Sequence, residues 1–472
     1  MEKLIGRDAE QQKLAKYVNS GKAEFITIYG RRRVGKTFLV RSFFKDKFDF
    51  YATGIIDGTK EEEMKAFNDA LHKYGYEGDE AANWMDAFIN LGKLLKSKSD
   101  KNPGKRVVAF IDELPCFDTY NSGFIHALDY FWNSNASWMS NIFLVVCGSA
   151  TSWMLHNVIN NRGGLYGRTT HEIHLRPFTL SETETYLKEK GSKLDRLSIL
   201  QLYMTLGGIP YYISMVDPHK SAAENIDSLF FAESEGLKSE YGRLFKSLYK
   251  NPDNYTSVIR LLSEHSAGMT RKEIAEKLKI HNNGHLGEIL ENLESCDFIR
   301  YYRNNGKQNN GIYQLLDFFI LFYNKFCRRR TTDERFWQNN INTPAQNTWY
   351  GLTFEKVCIA HYRQILRALK IDGIHTEFYS WRSKTSSPAA QIDIVIDRAD
   401  GIINICEAKY SRREYRLQKT EYDKLSKRID TFCNETKCKK GIQTVLITTN
   451  GLADNEYSNI ADRVIALDDL FL

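Results

Sequence analysis

The sequence predicts an α/β protein: a mostly parallel sheet built around a glycine loop, then a helical segment, a helix-turn-helix with a hairpin, and a second α/β unit. Three observations predict it. "EFITIYG" is a β-rich run that ends on the first glycine of a loop, and helical spacing resumes in "KTFLVRSFF". Two more apolar runs, "RVVAFIDE" and "NIFLVVCGSA", follow with helical segments between them, as strands buried on both faces of a parallel sheet require. The period then changes twice, near residues 251 and 345.

A chain of 472 residues exceeds a single hydrophobic core and calls for several domains. Its 42% hydrophobic and 13% aromatic content excludes global disorder. The most apolar runs are strand-sized, so no membrane partner is expected. "MEKLIGRDAE" shows no secretory leader, and the eight cysteines form no CxxC pair, which argues against a zinc site or a disulfide framework and predicts a cytoplasmic protein. A net charge of +6 permits a nucleic-acid partner; local clustering decides.

The first strand leads into "GRRRVGKT", a G-x-x-x-x-G-K-[ST] frame at Gly30, Gly35, Lys36 and Thr37, with Phe38 inside the following helix. Such a loop surrounds phosphates with main-chain N–H groups backed by the helix N-terminus; Lys36 adds a point charge and Thr37 a Mg2+ ligand. The positions between the glycines are Arg31, Arg32, Arg33 and Val34. Because main chain makes the cradle, the three arginine side chains are expected on the surface over the site, as solvated charge or as a contact to an acidic partner. After a polar stretch with helical patterns (57–105), the strand "VVAFIDE" delivers Asp112 toward the metal and Glu113 toward an attacking water, as ATP hydrolysis requires. The plainer reading, a glycine turn and a strand ending in two acids, does not account for both elements in the right order.

At this point the chain resembles the archaeal-type ATPases, a branch of the STAND/AAA+ class of P-loop NTPases. "LIGRDAEQQKL", "YGRRRVGKT", "FIDELPCFD", "CGSATSWM", "LYGRTTHEIHLRPFTLSE" and "GGIPYYI" look like that family's successive motifs over residues 4 to 213. The resemblance implies a sensor role for Ser149, a charge-sensing role for Arg168 and a place near the adenine for Pro210.

From residue 179 the pattern turns helical, opening on the Thr/Ser cap of "TLSETETYLKEKG", and reads as a small lid. "YTSVIRLLSEHS", "TRKEIAEKLKI" and "GHLGEILENLESCDFI" are then three short helices, followed by "IRYYRNNGKQNNGIYQLL", two β-like runs around an Asn/Gly turn. That order describes a winged helix-turn-helix. Its recognition helix carries Glu288, Glu291 and Glu294 without Arg or Lys; only "HNNGH" and the wing "RNNGKQNN" offer donors. Protein or interdomain docking is therefore placed ahead of DNA reading.

The last segment alternates helix, strands, helix and strand. In "QIDIVIDRADGIINICEAKYS" two strands joined by a turn carry Asp393 and the Glu407-Ala408-Lys409 triplet, and alternation puts Glu407 and Lys409 on one face. Carboxylates beside a lysine in apolar strands are costly to bury without a use; holding Mg2+ or Mn2+ while the lysine orients a water is such a use. Glu355 on the apolar helix "GLTFEKVCIAHY" is a further candidate metal ligand. This pattern resembles the PD-(D/E)xK nucleases, a restriction-endonuclease-like fold. The stretch 411–428 holds seven basic residues against three acidic, with Tyr410, Tyr415 and Tyr422 interleaved, which favours a DNA backbone.

The expected organisation is thus a P-loop ATPase core (1–178), a helical lid (179–250), a winged helix (251–330) and a nuclease-like domain (345–472). ATP and Mg2+ are the expected cofactors, with Mn2+ an option at the second site. The expected partners are DNA, a protein on the winged helix, and a further copy of the chain. Genome defence is the setting the resemblance suggests; the rival reading is a regulatory ATPase whose C-terminal fold binds without cutting.

Overall fold

A computed structural model describes residues 3–160, 167–233, 236–249, 251–303, 311–329, 331–383, 386 and 390–472. The chain forms two compact units: Met1–Pro177 with Lys246–Lys250 and Ser295–Asp297, and the remainder.

The first unit is built on a five-stranded sheet of β1 (Glu24–Tyr29), β2 (Phe50–Thr53), β3 (Val107–Asp112), β4 (Ile142–Gly148) and β5 (His171–His174), in the order β2-β3-β4-β1-β5. All of its pairings are parallel. β3 and β4 are buried at every position, which is why both read as unbroken apolar runs. The polar stretch 57–105 folds as the helices Lys60–Lys73, opened by a Thr59/Glu62 capping box, and Trp84–Lys101, capped by Asn83. Phe67, Trp84, Phe88 and Phe131 pack them and the helix Phe124–Ser134 over β2 and β3.

The second unit opens with the helices Leu180–Glu189, Arg196–Leu206, Pro210–Ile213 and Ala222–Phe230. Three helices, Pro252–Glu264, Arg271–Leu278 and Gly284–Ser295, then accompany a small antiparallel sheet of β6 (Met269–Thr270), β7 (Ile299–Arg303) and β8 (Gly311–Leu315). This matches the expected helix and hairpin order; the wing residues 304–310 lie outside the described residues. The helix Pro344–Ala360 leads to the last sheet: β9 (Thr376–Arg382), β10 (Gln391–Arg398), β11 (Ile402–Lys409), β12 (Gly441–Thr448) and β13 (Arg463–Ile465). β9, β10 and β11 pair antiparallel, whereas β11, β12 and β13 run parallel because the helix Lys419–Thr436 crosses between β11 and β12. Phe432 of that helix packs on Trp381, Val395 and Ile405. No described helix is long and apolar enough to cross a membrane.

Among the described residues five strands have no counterpart in the sequence analysis: β2, β5, β6, β9 and β13. Each is an edge strand of its sheet. Their alternating or weak burial leaves no continuous apolar run to read.

Candidate functional site

In the first unit, β1 ends where the chain must turn sharply. Gly30 has φ 147°, and a Cβ there would stand 2.2 Å from the Leu175 carbonyl oxygen, so only glycine fits. Arg33 and Gly35 take the left-handed region, and the helix Lys36–Phe43 starts at once. The Lys36 ammonium donates to the carbonyls of Gly30 (2.8 Å) and Arg31 (3.1 Å) and to Ser149 Oγ (3.0 Å). Burial pushes its pKa down, and the fields of Glu113 and Asp112 oppose that shift.

Thr37 Oγ1 donates to Asp112 Oδ2 at 2.6 Å, joining loop and strand end. Burial raises the Asp112 pKa, and the Thr37 bond opposes this. Glu113, the next residue, is in the left-handed region at φ 46°, a conformation costly for a non-glycine and concentrated at functional sites. Its carboxylate accepts from the Ser149 hydroxyl (2.7 Å) and the Ser149 N–H (3.2 Å). Ser149, at the end of β4, thereby stands between Lys36 and Glu113. The hydroxyl of Thr37 and the carboxylate of Asp112 are hard oxygen donors side by side, a set that fits Mg2+.

Arg31 corrects an expectation: it is 1% exposed, not a surface side chain. Arg32 and Arg33 are partly exposed, Val34 is buried and Phe38 is exposed. Arg168 lies exposed on the turn before β5, and Pro210 is the first residue of a short helix in the second unit. Of the "LYGRTTHEIHLRPFTLSE" stretch, Leu165 and Tyr166 lie outside the described residues. One residue went unnoticed: Arg7, 4% exposed, donates from Nη2 to the Val34 carbonyl at 3.0 Å and braces the loop from behind. The "GRD" of the first motif was its only signal.

In the second unit, β10 and β11 pair Ile394 with Cys406, so one step further Asp393 stands across from Glu407. The pairing of β10 with β9 shifts between Ile392 and Val395, a bulge that carries Asp393. Glu355 enters from the helix Pro344–Ala360. Its pKa is pushed up to about 8, first by burial and then by the fields of Asp393 and Glu407. Asp393 is raised for the same two reasons, burial and Glu407. Glu355 thus lies within the field of both strand acids, and all three residues are partly exposed. Lys356 is buried, and burial brings its pKa down to about 8.

The expected cage of Glu355, Asp393 and Glu407 around one ion is not assembled. Among the described residues no three His, Cys, Asp or Glu side chains converge as a metal cage. The reason is that Glu407 is taken: Lys409 Nζ lies 2.9 Å from Oε1, and Arg428 Nη1 lies 3.0 Å from Oε2. Lys409 also faces Glu421 at 3.8 Å. Asp393 Oδ1 accepts from Gln391 Nε2 at 2.6 Å, and Glu355 lies within the field of Asp393.

The basic stretch is more engaged than its sequence suggests. Arg428 is committed to Glu407, and Arg412 donates to Gln346 Oε1 at 3.4 Å. Tyr410 stacks on Tyr350 and accepts from Gln201 at 2.9 Å, and the Tyr415 hydroxyl donates to Glu421. On the helix Gly284–Ser295, Glu288, Glu291 and Glu294 line a groove of about 480 Å³ with Arg271, Tyr301 and Tyr313. The neighbouring donors are used locally, since Arg271 bonds the Asn283 carbonyl and His285 faces Glu288 at 3.8 Å.

Residues 4–216 match the family described as an ATPase domain predominantly from Archaea. An uncharacterized protein of Methanocaldococcus jannaschii is 25% identical over 366 residues, 75% of this chain and 76% of its own. An uncharacterized ATP-binding protein of the same organism is 44% identical over 44 residues, 9% of this chain and 75% of its own. A Walker-type ATPase of Pyrococcus abyssi shares the fold, with a TM-score of 0.50 at 17% identity over 68% of this chain and 96% of that one. The loop, the Asp112–Glu113 strand end and the family match over residues 4–216 agree on a P-loop ATPase domain in this part of the chain.

Proposed function

We propose that this chain is an ATP-hydrolysing ATPase of the STAND/AAA+ class, coupled to a metal-dependent nuclease module that acts on DNA, in genome defence. The observation that carries the nuclease half is the register that sets Asp393 across from Glu407 on paired strands, with Lys409 2.9 Å from Glu407 and Glu355 within the field of both acids. Like charges set close together in a partly desolvated place are costly unless a cation or a proton relieves them. In this reading Asp393 and Glu355 hold Mg2+ or Mn2+, which stabilises charge on the scissile phosphate. Lys409 orients the attacking water, while the basic residues of 411–428 other than Arg412 and Arg428 face the backbone.

The order helix, three antiparallel strands, crossing helix, parallel strand supports the resemblance to PD-(D/E)xK nucleases. In the ATPase half, Lys36 and Thr37 bind phosphate and Mg2+, Glu113 activates water, and Ser149 and Arg168 sense the nucleotide. The acidic groove on Gly284–Ser295 favours a protein partner or a further copy of the chain over DNA at the winged helix.

The test is cleavage of linear, circular and branched DNA with Mg2+ or Mn2+, with and without ATP, beside Asp393→Ala and Lys36→Ala. Cutting that Asp393→Ala removes supports the nuclease, and a changed rate in Lys36→Ala supports nucleotide control. A second reading, a regulatory ATPase whose C-terminal fold binds without cutting, is favoured by the double ion pairing of Glu407. It prevails if no substrate is cut with either metal.

A further inference from the structure

Behind the carboxylates runs a chain of polar contacts that the proposed chemistry does not use. The Ser266 carbonyl accepts from Gln314 Nε2 at 2.6 Å and from Lys356 Nζ at 3.4 Å. Gln314 Oε1 accepts from Arg300 Nε at 2.7 Å, and Arg300 Nη2 donates to Ser380 Oγ at 2.7 Å. Ser380 donates its hydroxyl to the carbonyl of Asp393. Ser380, Gln314 and Lys356 are 1%, 3% and 4% exposed, so water does not compete for these bonds.

The two ends of this chain matter most. On β9, Ser380 alone stands opposite the bulged pair Asp393–Ile394, because pairing passes from Ile392–Trp381 directly to Val395–Tyr379. A bulge re-aims a side chain and leaves irregular backbone to be satisfied. Here Ser380 satisfies it. At the other end, Lys356 adjoins Glu355 on the helix. The contacts therefore reach both elements that supply the carboxylates left available to a cation, and they originate in the segment with β7 and β8.

We propose that Arg300 is a positioning residue of the carboxylate site: from β7 it holds, through Ser380, the bulge that presents Asp393, so that the helix-and-hairpin segment and the α/β module bind a divalent cation as one piece. This rests on the metal-site reading above. The guanidinium is aimed by Gln314 and by the Tyr302 ring, 4.4 Å away, so both forks of its donor geometry are fixed. Lysine at 300 would keep the charge but not both directed bonds.

The experiment is Mn2+ binding to the full chain by calorimetry, without nucleotide or DNA, for wild type and for Asp393→Asn, Arg300→Ala, Arg300→Lys, Ser380→Ala and Arg300→Ala/Ser380→Ala, with melting temperatures alongside. Asp393→Asn is expected to remove the site. Arg300→Ala, Arg300→Lys and Ser380→Ala are each expected to weaken Mn2+ about tenfold, with the double variant no weaker than the worse single one. Wild-type Mn2+ affinity in Ser380→Ala and Arg300→Lys, or losses that add in the double variant, overturns the positioning role while Asp393→Asn still reports the site. If Asp393→Asn binds Mn2+ as wild type does, the metal-site reading itself fails. Should Arg300→Ala not fold, Ser380→Ala and Arg300→Lys decide the matter.

Discussion

The Ser149 hydroxyl donates to Glu113 Oε1 at 2.7 Å while accepting from Lys36 Nζ at 3.0 Å, so one side chain at the end of β4 ties the phosphate-binding lysine to the candidate base. Ser149→Ala leaves both charged groups one partner short. A buried hydrogen bond to a charged group is worth about 1.5–3 kcal/mol, which predicts a 10- to 100-fold fall in the ATP turnover rate. Nucleotide affinity should change less, and Glu113→Gln should bind ATP with turnover abolished. Steady-state phosphate release and equilibrium nucleotide binding check both; unchanged turnover in Ser149→Ala would remove the link.

Gly30 meets two demands at once, φ 147° and the Leu175 carbonyl 2.2 Å from where a Cβ would sit. Gly30→Ala is therefore expected to lower stability by about 1–3 kcal/mol and to displace the first amide of the loop. Thermal melting with and without ATP should show a lower midpoint and a smaller shift on adding nucleotide. A wild-type melting curve would mean that β5 yields without cost.

Glu355, with its pKa raised to about 8, makes a prediction about pH. Its proton is held more tightly in the folded chain than in the unfolded one, so rising pH between about 4.5 and 8 costs stability, and the loss levels off above 8. Glu355→Gln removes that cost. It should melt at a higher temperature than wild type at pH 8, by a few degrees, with the gap closing toward pH 5. A gap independent of pH would mean that Glu355 carries no shifted proton.

His361 titrates in the opposite sense. It is buried, accepts from the Leu180 N–H at 3.0 Å through Nε2, and its Nδ1 lies 2.9 Å from the Val357 carbonyl. Burial brings its pKa to about 4 from an ordinary 6.5. The folded chain binds this proton less readily than the unfolded chain, so the contribution is intact above about 6.5 and is lost as pH falls toward 4, roughly 3 kcal/mol in all. Denaturant unfolding of wild type and His361→Gln across that window should show a steeper decline in wild type. Parallel slopes would refute the assignment.

The legible residues share a feature: each site half is written in short, contiguous pieces. Gly30 to Thr37, Asp112–Glu113 and Glu407–Lys409 are local because a loop at a strand end, or alternation along a strand, is enough to orient them. Central strands were legible for a related reason, since burial on both faces demands an unbroken apolar run. The edge strands β2, β5, β9 and β13 carry no such mark, as one side of each is left to solvent.

By itself, then, the sequence determined which groups are available for phosphate and metal chemistry and on which local elements they ride. Only the tertiary structure decided what those groups face. Arg31 turns inward, Arg7 braces the loop over 27 positions, Arg428 takes Glu407, and Arg300 reaches Ser380 across 80 positions. These partners come from segments far apart in the chain, and nothing in the local period or composition records a contact that exists only once the elements have packed.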